Sequence, residues 1–140
     1  MKLKYNFGLL KNLKIGFVNS EGKGFVGELL EVKQINGKYR FIYSENYIEV
    51  EENILLNFCI KFKNDTYWFV YSSPKMISGL FLFSMYDTYG FPLEITEEIM
   101  EEKGFLCDTE GFYIIKNIQK NRNKNTYKNK NAFKWYSSVA

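Results

Sequence analysis

Two hydrophobic periods divide the chain. Up to Pro74 the apolar residues alternate with polar ones in short runs; beyond it they recur at helical spacing. In the first part Leu13–Val18 reads as a strand and Asn19–Gly24 as a turn. Phe25–Ile35 reads as one second strand with Val26, Leu30 and Val32 on one face. Asn36-Gly37 is the strongest two-residue hairpin signal, with Tyr39–Ser44 pairing back across it. Tyr47–Val50 follows, and Glu51–Asn53 interrupts. Asn57–Lys63 alternates with Phe58, Ile60 and Phe62 inward, and Asn64-Asp65 turns tightly into Thr66–Tyr71. That last strand is apolar on both faces, so either it is covered on both sides, with the helical part as the cover, or one aromatic face is an interaction surface. Five or six short strands predict an antiparallel meander or half-closed barrel.

After Ser72-Ser73-Pro74 the pattern predicts three short helices. Ser78 caps Gly79–Tyr89, where Leu82, Met85 and Tyr86 recur at helical spacing, and Gly90 suits the C′ position. Thr96 is the expected cap of the second helix and Gly104 its end. Asp108 caps the third, with Phe112, Ile115 and either Ile118 or Gln119 along one side. The predicted class is therefore α+β: a β-rich lobe over 1–75, a helical lobe over 76–121 and a basic Lys/Asn-rich tail over 122–140. Residues 1–12 form a lead-in, read as an edge strand or a loose helix. The tail reads as a frayed helix end or a disordered linker, with Phe133, Trp135 and Tyr136 docking back or serving as a partner motif.

One stretch is more specific than any pattern. Tyr86-Asp87-Thr88-Tyr89-Gly90-Phe91-Pro92, then Leu93-Glu94-Ile95-Thr96-Glu97-Glu98-Ile99, Glu102-Lys103-Gly104 and Asp108-Thr109-Glu110-Gly111-Phe112, resembles a segment of alanyl-tRNA synthetase. The resemblance covers residues 77–124; residues 1–76 are not recognised. In the family this segment belongs to the helical region after the aminoacylation core, which helps hold the tRNA acceptor end. The resemblance thus implies a fold fragment and an RNA-facing surface, without the signature motifs that bind ATP and alanine.

Composition narrows the chemistry further. The 140 residues contain no histidine and two cysteines, Cys59 and Cys107, which argues against ordinary zinc sites, Ser-His or Cys-His machinery and a disulfide framework. No cofactor is expected and no enzymatic activity. The N-terminus lacks a secretory pattern and no apolar run is long enough to span a bilayer, so a cytoplasmic protein with no membrane partner is expected. Gly22-Lys23-Gly24-Phe25-Val26-Gly27 matches G-x-G-x-x-G by letter, but it lies between two strands and no βαβ pattern surrounds it.

Charge is unevenly placed. Seven cations follow Ile115 (Lys116, Lys120, Arg122, Lys124, Lys128, Lys130 and Lys134) with no acid among them. The chain's net charge is +3, so the body before them is mildly acidic. With Tyr127 and Trp135 interleaved, these cations are candidates for phosphate contact and base stacking, or for a solvated tail. Glu94, Glu97, Glu98, Glu101 and Glu102 form an acidic patch, read either as a solvent face or as a surface for a basic partner, the tail included. The function read from this is a non-catalytic protein that binds RNA or an RNA-handling protein complex. It would occupy a surface, as a mobile-element-encoded, anti-CRISPR-like inhibitor does. The alternatives are a tRNA-binding accessory factor related to alanyl-tRNA synthetase, or a structural or dimerising protein.

Overall fold

The computed structural model describes residues 4–139, and side chains as far as Lys124. A short 3₁₀ turn at Phe7–Leu10 leads into β1 (Lys14–Val18), β2 (Gly24–Glu28), β3 (Glu31–Ile35), β4 (Lys38–Ile42) and β5 (Tyr47–Glu51). One helical turn, α1 (Glu52–Leu55), precedes β6 (Phe58–Lys63), β7 (Thr66–Tyr71) and the two-residue β8 (Met76–Ile77). The rest is α2 (Gly79–Tyr89), α3 (Leu93–Glu102), the short β9 (Leu106–Cys107) and α4 (Thr109–Val139). The class is α+β, as the pattern predicts.

Two sheets face each other. The three-stranded sheet β3-β4-β5 is an antiparallel meander. The four-stranded sheet departs from meander order: it runs β2-β1-β7-β6, and β1 pairs with β7 in parallel. A parallel pair needs a long crossover, and here the whole β2–β6 stretch supplies it. Tight turns occur where the sequence places them. Asn36 and Gly37 have φ of 50° and 76°, and Asn64 and Asp65 have 53° and 59°, the left-handed pairs that match strand twist.

The stretch 25–35 is two strands, not one. The Leu29 amide donates to the Leu13 carbonyl (2.9 Å), while the Leu30 amide donates to Ile42 (2.9 Å), so the chain changes sheets between them. Leu29 becomes fully buried, and of the three residues expected on one face of a single strand Val26 and Leu30 are exposed while Val32 is half-buried. Phe62 is also exposed, because β6 runs past the core there, and its ring lies 4.6 Å from that of Tyr67.

The core is aromatic. Phe17, Phe41 and Phe69 meet between the sheets with centroids 4.6–6.2 Å apart, offset and edge contacts that stabilise beyond their area. The buried Tyr43 hydroxyl donates to the Ile15 carbonyl (3.0 Å) and ties one sheet to the other. Leu80, Leu82, Phe83, Phe112, Ile115 and Ile118 continue the same core into the helices. The main contacts of α2 and α4 with the four-stranded sheet are with its edge strand β6, not with β7. Trp68 therefore keeps a half-buried place on the outer face of β7, with its ring packed over Gly16.

Ser78 caps α2 by accepting from the Leu80 amide (3.2 Å), and Gly90 closes it at φ 73°. Thr96 is not a cap. Pro92, with φ −58° and ψ 146°, takes that place, and α3 begins at Leu93 with Thr96 buried inside it. The third helix is long, running through the Lys/Asn-rich tail to Val139. No glycine or proline occurs after Gly111, so nothing in the backbone stops it.

Candidate nucleic-acid interface

One carboxylate sets the position of α4. Asp108 is 5% exposed and accepts three backbone bonds: from Ile60 on β6 (2.9 Å), from Gly79 at the start of α2 (2.9 Å) and from Gly111 in its own helix (3.1 Å). The first covers an edge-strand amide; the other two belong to helix N-termini, where a carboxylate is favoured. Burial nonetheless pushes the Asp108 carboxyl above its usual range, the three N–H bonds opposing it. Gly79 lets the two helix starts touch, since a Cβ there would overlap the backbone of Gly111 and Phe112. An outer ion pair, Lys61 to Glu110 at 2.8 Å, holds the same junction.

The segment around Tyr86-Asp87 grips α4 further along. The Tyr86 ring packs edge-on against Phe112 (5.5 Å) and lies 5.0 Å below the Lys116 ammonium. Asp87 accepts from the Gln119 amide at 2.9 Å. These residues therefore orient the helix that carries the cations.

On the outer side of α4, Tyr113, Lys116, Asn117, Lys120 and Lys124 form an exposed stripe at i, i+3, i+4, i+7 and i+11. The first four border a shallow groove with Glu110 and Ile114. Tyr113 is 53% exposed. Sequence reasoning missed Tyr113 and Asn117, although helical spacing from Lys116 and Lys120 marks both. Arg122 is separated from the stripe: it is half-buried, and its Nη2 donates to the Lys11 carbonyl. The side chains of Tyr127, Lys128, Lys130, Lys134 and Trp135 lie outside the described residues, though their backbone continues the helix.

The acidic residues lie elsewhere, on α3. Glu94, Glu98, Glu101 and Glu102 are exposed and Glu97 half-buried, and among the described residues no ion pair engages any of the five. They flank a 260 Å³ apolar groove whose lining includes Met85, Phe91, Ile95 and Ile99. Burial, followed by the Glu97 and Glu101 carboxylates, pushes the Cys107 thiol up to about 11. Cys59 and Cys107 are both free thiols, and no metal-binding group of three or more acidic, Cys or His side chains occurs among the described residues. No helix among them is long and apolar enough to cross a membrane.

Comparison with known proteins meets this geometry at α4. Residues 67–139, from β7 to the end of that helix, match the family described as tRNA synthetases class II (A). The chain belongs to that family. It is similar to the alanine–tRNA ligase of Synechococcus sp. (strain JA-2-3B'a(2-13)), with 63% identity over 41 residues, 29% of this chain and 5% of the relative. With that of Prochlorococcus marinus (strain MIT 9515) the identity is 55% over 53 residues, 38% and 6%. With that of Ehrlichia chaffeensis it is 32% over 133 residues, 87% of this chain and 14% of the relative. This last likeness reaches well into the β-rich half, where the sequence alone shows none. The chain thus spans 5–14% of the length of these relatives. No solved structure matches it.

Proposed function

We propose that this chain is a tRNA-binding module of the alanyl-tRNA synthetase type, which holds RNA by its phosphates and performs no aminoacylation by itself. The observation that carries this reading is the exposed stripe on α4, inside the family match, where three lysines lie on successive turns and Glu110 beside them is already paired with Lys61. Lysines one helical turn apart suit successive phosphates, and Tyr113 adds a flat face beside them. Neither the comparisons nor the geometry offers support for a mobile-element inhibitor, so tRNA is the partner we favour over an RNA-handling protein. Lys128, Lys130 and Lys134 extend the same contact in this reading, with Tyr127 and Trp135 as stacking groups. The acidic face of α3 points its charge at water or at a basic protein surface.

The test is fluorescence anisotropy with labelled tRNA over a salt series. Lys116→Glu, Lys120→Glu and Lys124→Glu together should weaken binding by about a hundredfold or more. They should also flatten the salt slope by roughly one unit per lost phosphate contact. Unchanged affinity and slope would refute the assignment. Alanine- and ATP-dependent charging of tRNA by the isolated chain would refute its non-catalytic part.

A further inference from the structure

The glycine-containing turn that matches a phosphate-loop pattern only by letter lies at the rim of a cleft. Between the two sheets, at the end where β1 turns into β2, is a 360 Å³ cavity, within the size range of small-molecule sites. Buried Phe17 and Phe58 form its floor, with half-buried Phe25, Ile48 and Val50 as walls. Its rim is polar: Asn19, Lys23 and Glu49. That rim is already fixed. Asn19 Oδ1 accepts from the Glu21 and Lys23 amides at 3.0 Å each, and the Asn19 amide donates to the Lys23 carbonyl at 2.9 Å. Across the opening, Arg40 holds Glu49 at 2.9 Å and lies 4.2 Å over the Tyr47 ring. Arg40 thus pairs with Glu49, and Lys23, whose ammonium lies 4.0 Å from the exposed Glu21 carboxylate, is the cation at the mouth.

An aromatic-lined slot with one ammonium and hydrogen-bonding groups at its lip fits a flat heterocycle that carries an anion. We propose that this cleft receives the base of an unpaired RNA nucleotide, with its phosphate at Lys23. The phenyl rings of Phe17, Phe25 and Phe58 accept any base by its face, while the Asn19 side-chain NH₂ and the second oxygen of the Glu49 carboxylate address its edge. A preformed cleft loses little entropy on filling. The inference rests on the RNA reading above and adds a single-strand site to the phosphate contacts of α4.

Calorimetric titration of the full chain with a single-stranded RNA tetranucleotide, and with the same backbone lacking bases, tests it. The intact oligomer should bind, and the abasic one should bind at least about tenfold more weakly. Lys23→Ala, at an exposed position, and Ile48→Phe, which fills the cleft, should each weaken the intact oligomer by about five- to tenfold. Absence of binding, equal binding of the abasic oligomer, or wild-type affinity in both variants overturns the site. The α4 triple variant separates the two readings: it should lose tRNA but keep the tetranucleotide. If it instead keeps tRNA while the tetranucleotide results hold, only the α4 assignment falls.

Discussion

Replacing Asp108 by alanine removes one carboxylate and leaves the amides of Ile60, Gly79 and Gly111 without their acceptor. Each is a short bond, at 2.9, 2.9 and 3.1 Å, and all three are buried. An orphaned buried donor costs about 1–3 kcal/mol, and loss of a helix cap costs about 0.5–2. Water relieves part of this, but the close contact of Gly79 with the Gly111–Phe112 backbone leaves little room for it. The net loss is therefore about 3–5 kcal/mol, a large part of the roughly 5–15 kcal/mol that stabilises an ordinary domain. Asp108→Asn should cost about half as much, because one amide oxygen still accepts while its NH₂ faces a donor.

Urea denaturation followed by circular dichroism measures both variants, with amide exchange as the specific readout. The Ile60 and Gly79 amides should lose protection ahead of the rest of β6 and α2. If Asp108→Ala costs under about 1 kcal/mol, or if those two amides stay protected, the carboxylate is not what joins β6, α2 and α4.

Three further expectations are cheaper to check. Gly79→Ala should destabilise by about 1–3 kcal/mol by forcing α2 and α4 apart, and it should weaken tRNA binding less than the lysine reversals do; thermal melting and anisotropy read the two effects. Tyr43→Phe removes the buried bond to the Ile15 carbonyl and should cost about 1 kcal/mol in the same urea assay. Cys107, with its thiol raised to about 11, should resist alkylation at pH 8 and react faster as the pH approaches 11. Glu97→Gln with Glu101→Gln should shift that profile downward, and an unshifted profile would refute the electrostatic part of the cause.

What the sequence discloses is what neighbours decide. The Asn36-Gly37 and Asn64-Asp65 turns, the Ser78 cap and the Gly90 stop each depend on residues within a few positions. Asp108 is legible as a cap for the same reason, but its bonds to Ile60 and Gly79 reach 48 and 29 residues back, and no local pattern encodes them. Thr96 reads locally as a helix start, and its burial inside α3, which begins earlier at Leu93, is not a local property. The crossing at Leu29–Leu30 is hidden because both sides of it continue to alternate. A reading of the tail by composition emphasises its asparagines and charge, whereas the backbone responds to the absence of any breaker after Gly111.

The base cleft and the α4 stripe share one strand. Phe58, on the floor of the cleft, and Lys61, paired with Glu110 beside the stripe, are three residues apart on β6, or about 10 Å along a strand. Asp108 fixes α4 to that same strand through Ile60, between them. The separation between the two proposed contacts is therefore set by a hydrogen-bonded β-strand and not by a loop. An RNA that engages both would meet a spacing fixed before binding, which lowers the ordering cost that two sites on separate flexible segments would incur. Loosening the Asp108 junction should consequently impair an RNA spanning both sites more than the tetranucleotide alone, because it removes the fixed spacing and leaves each local surface intact.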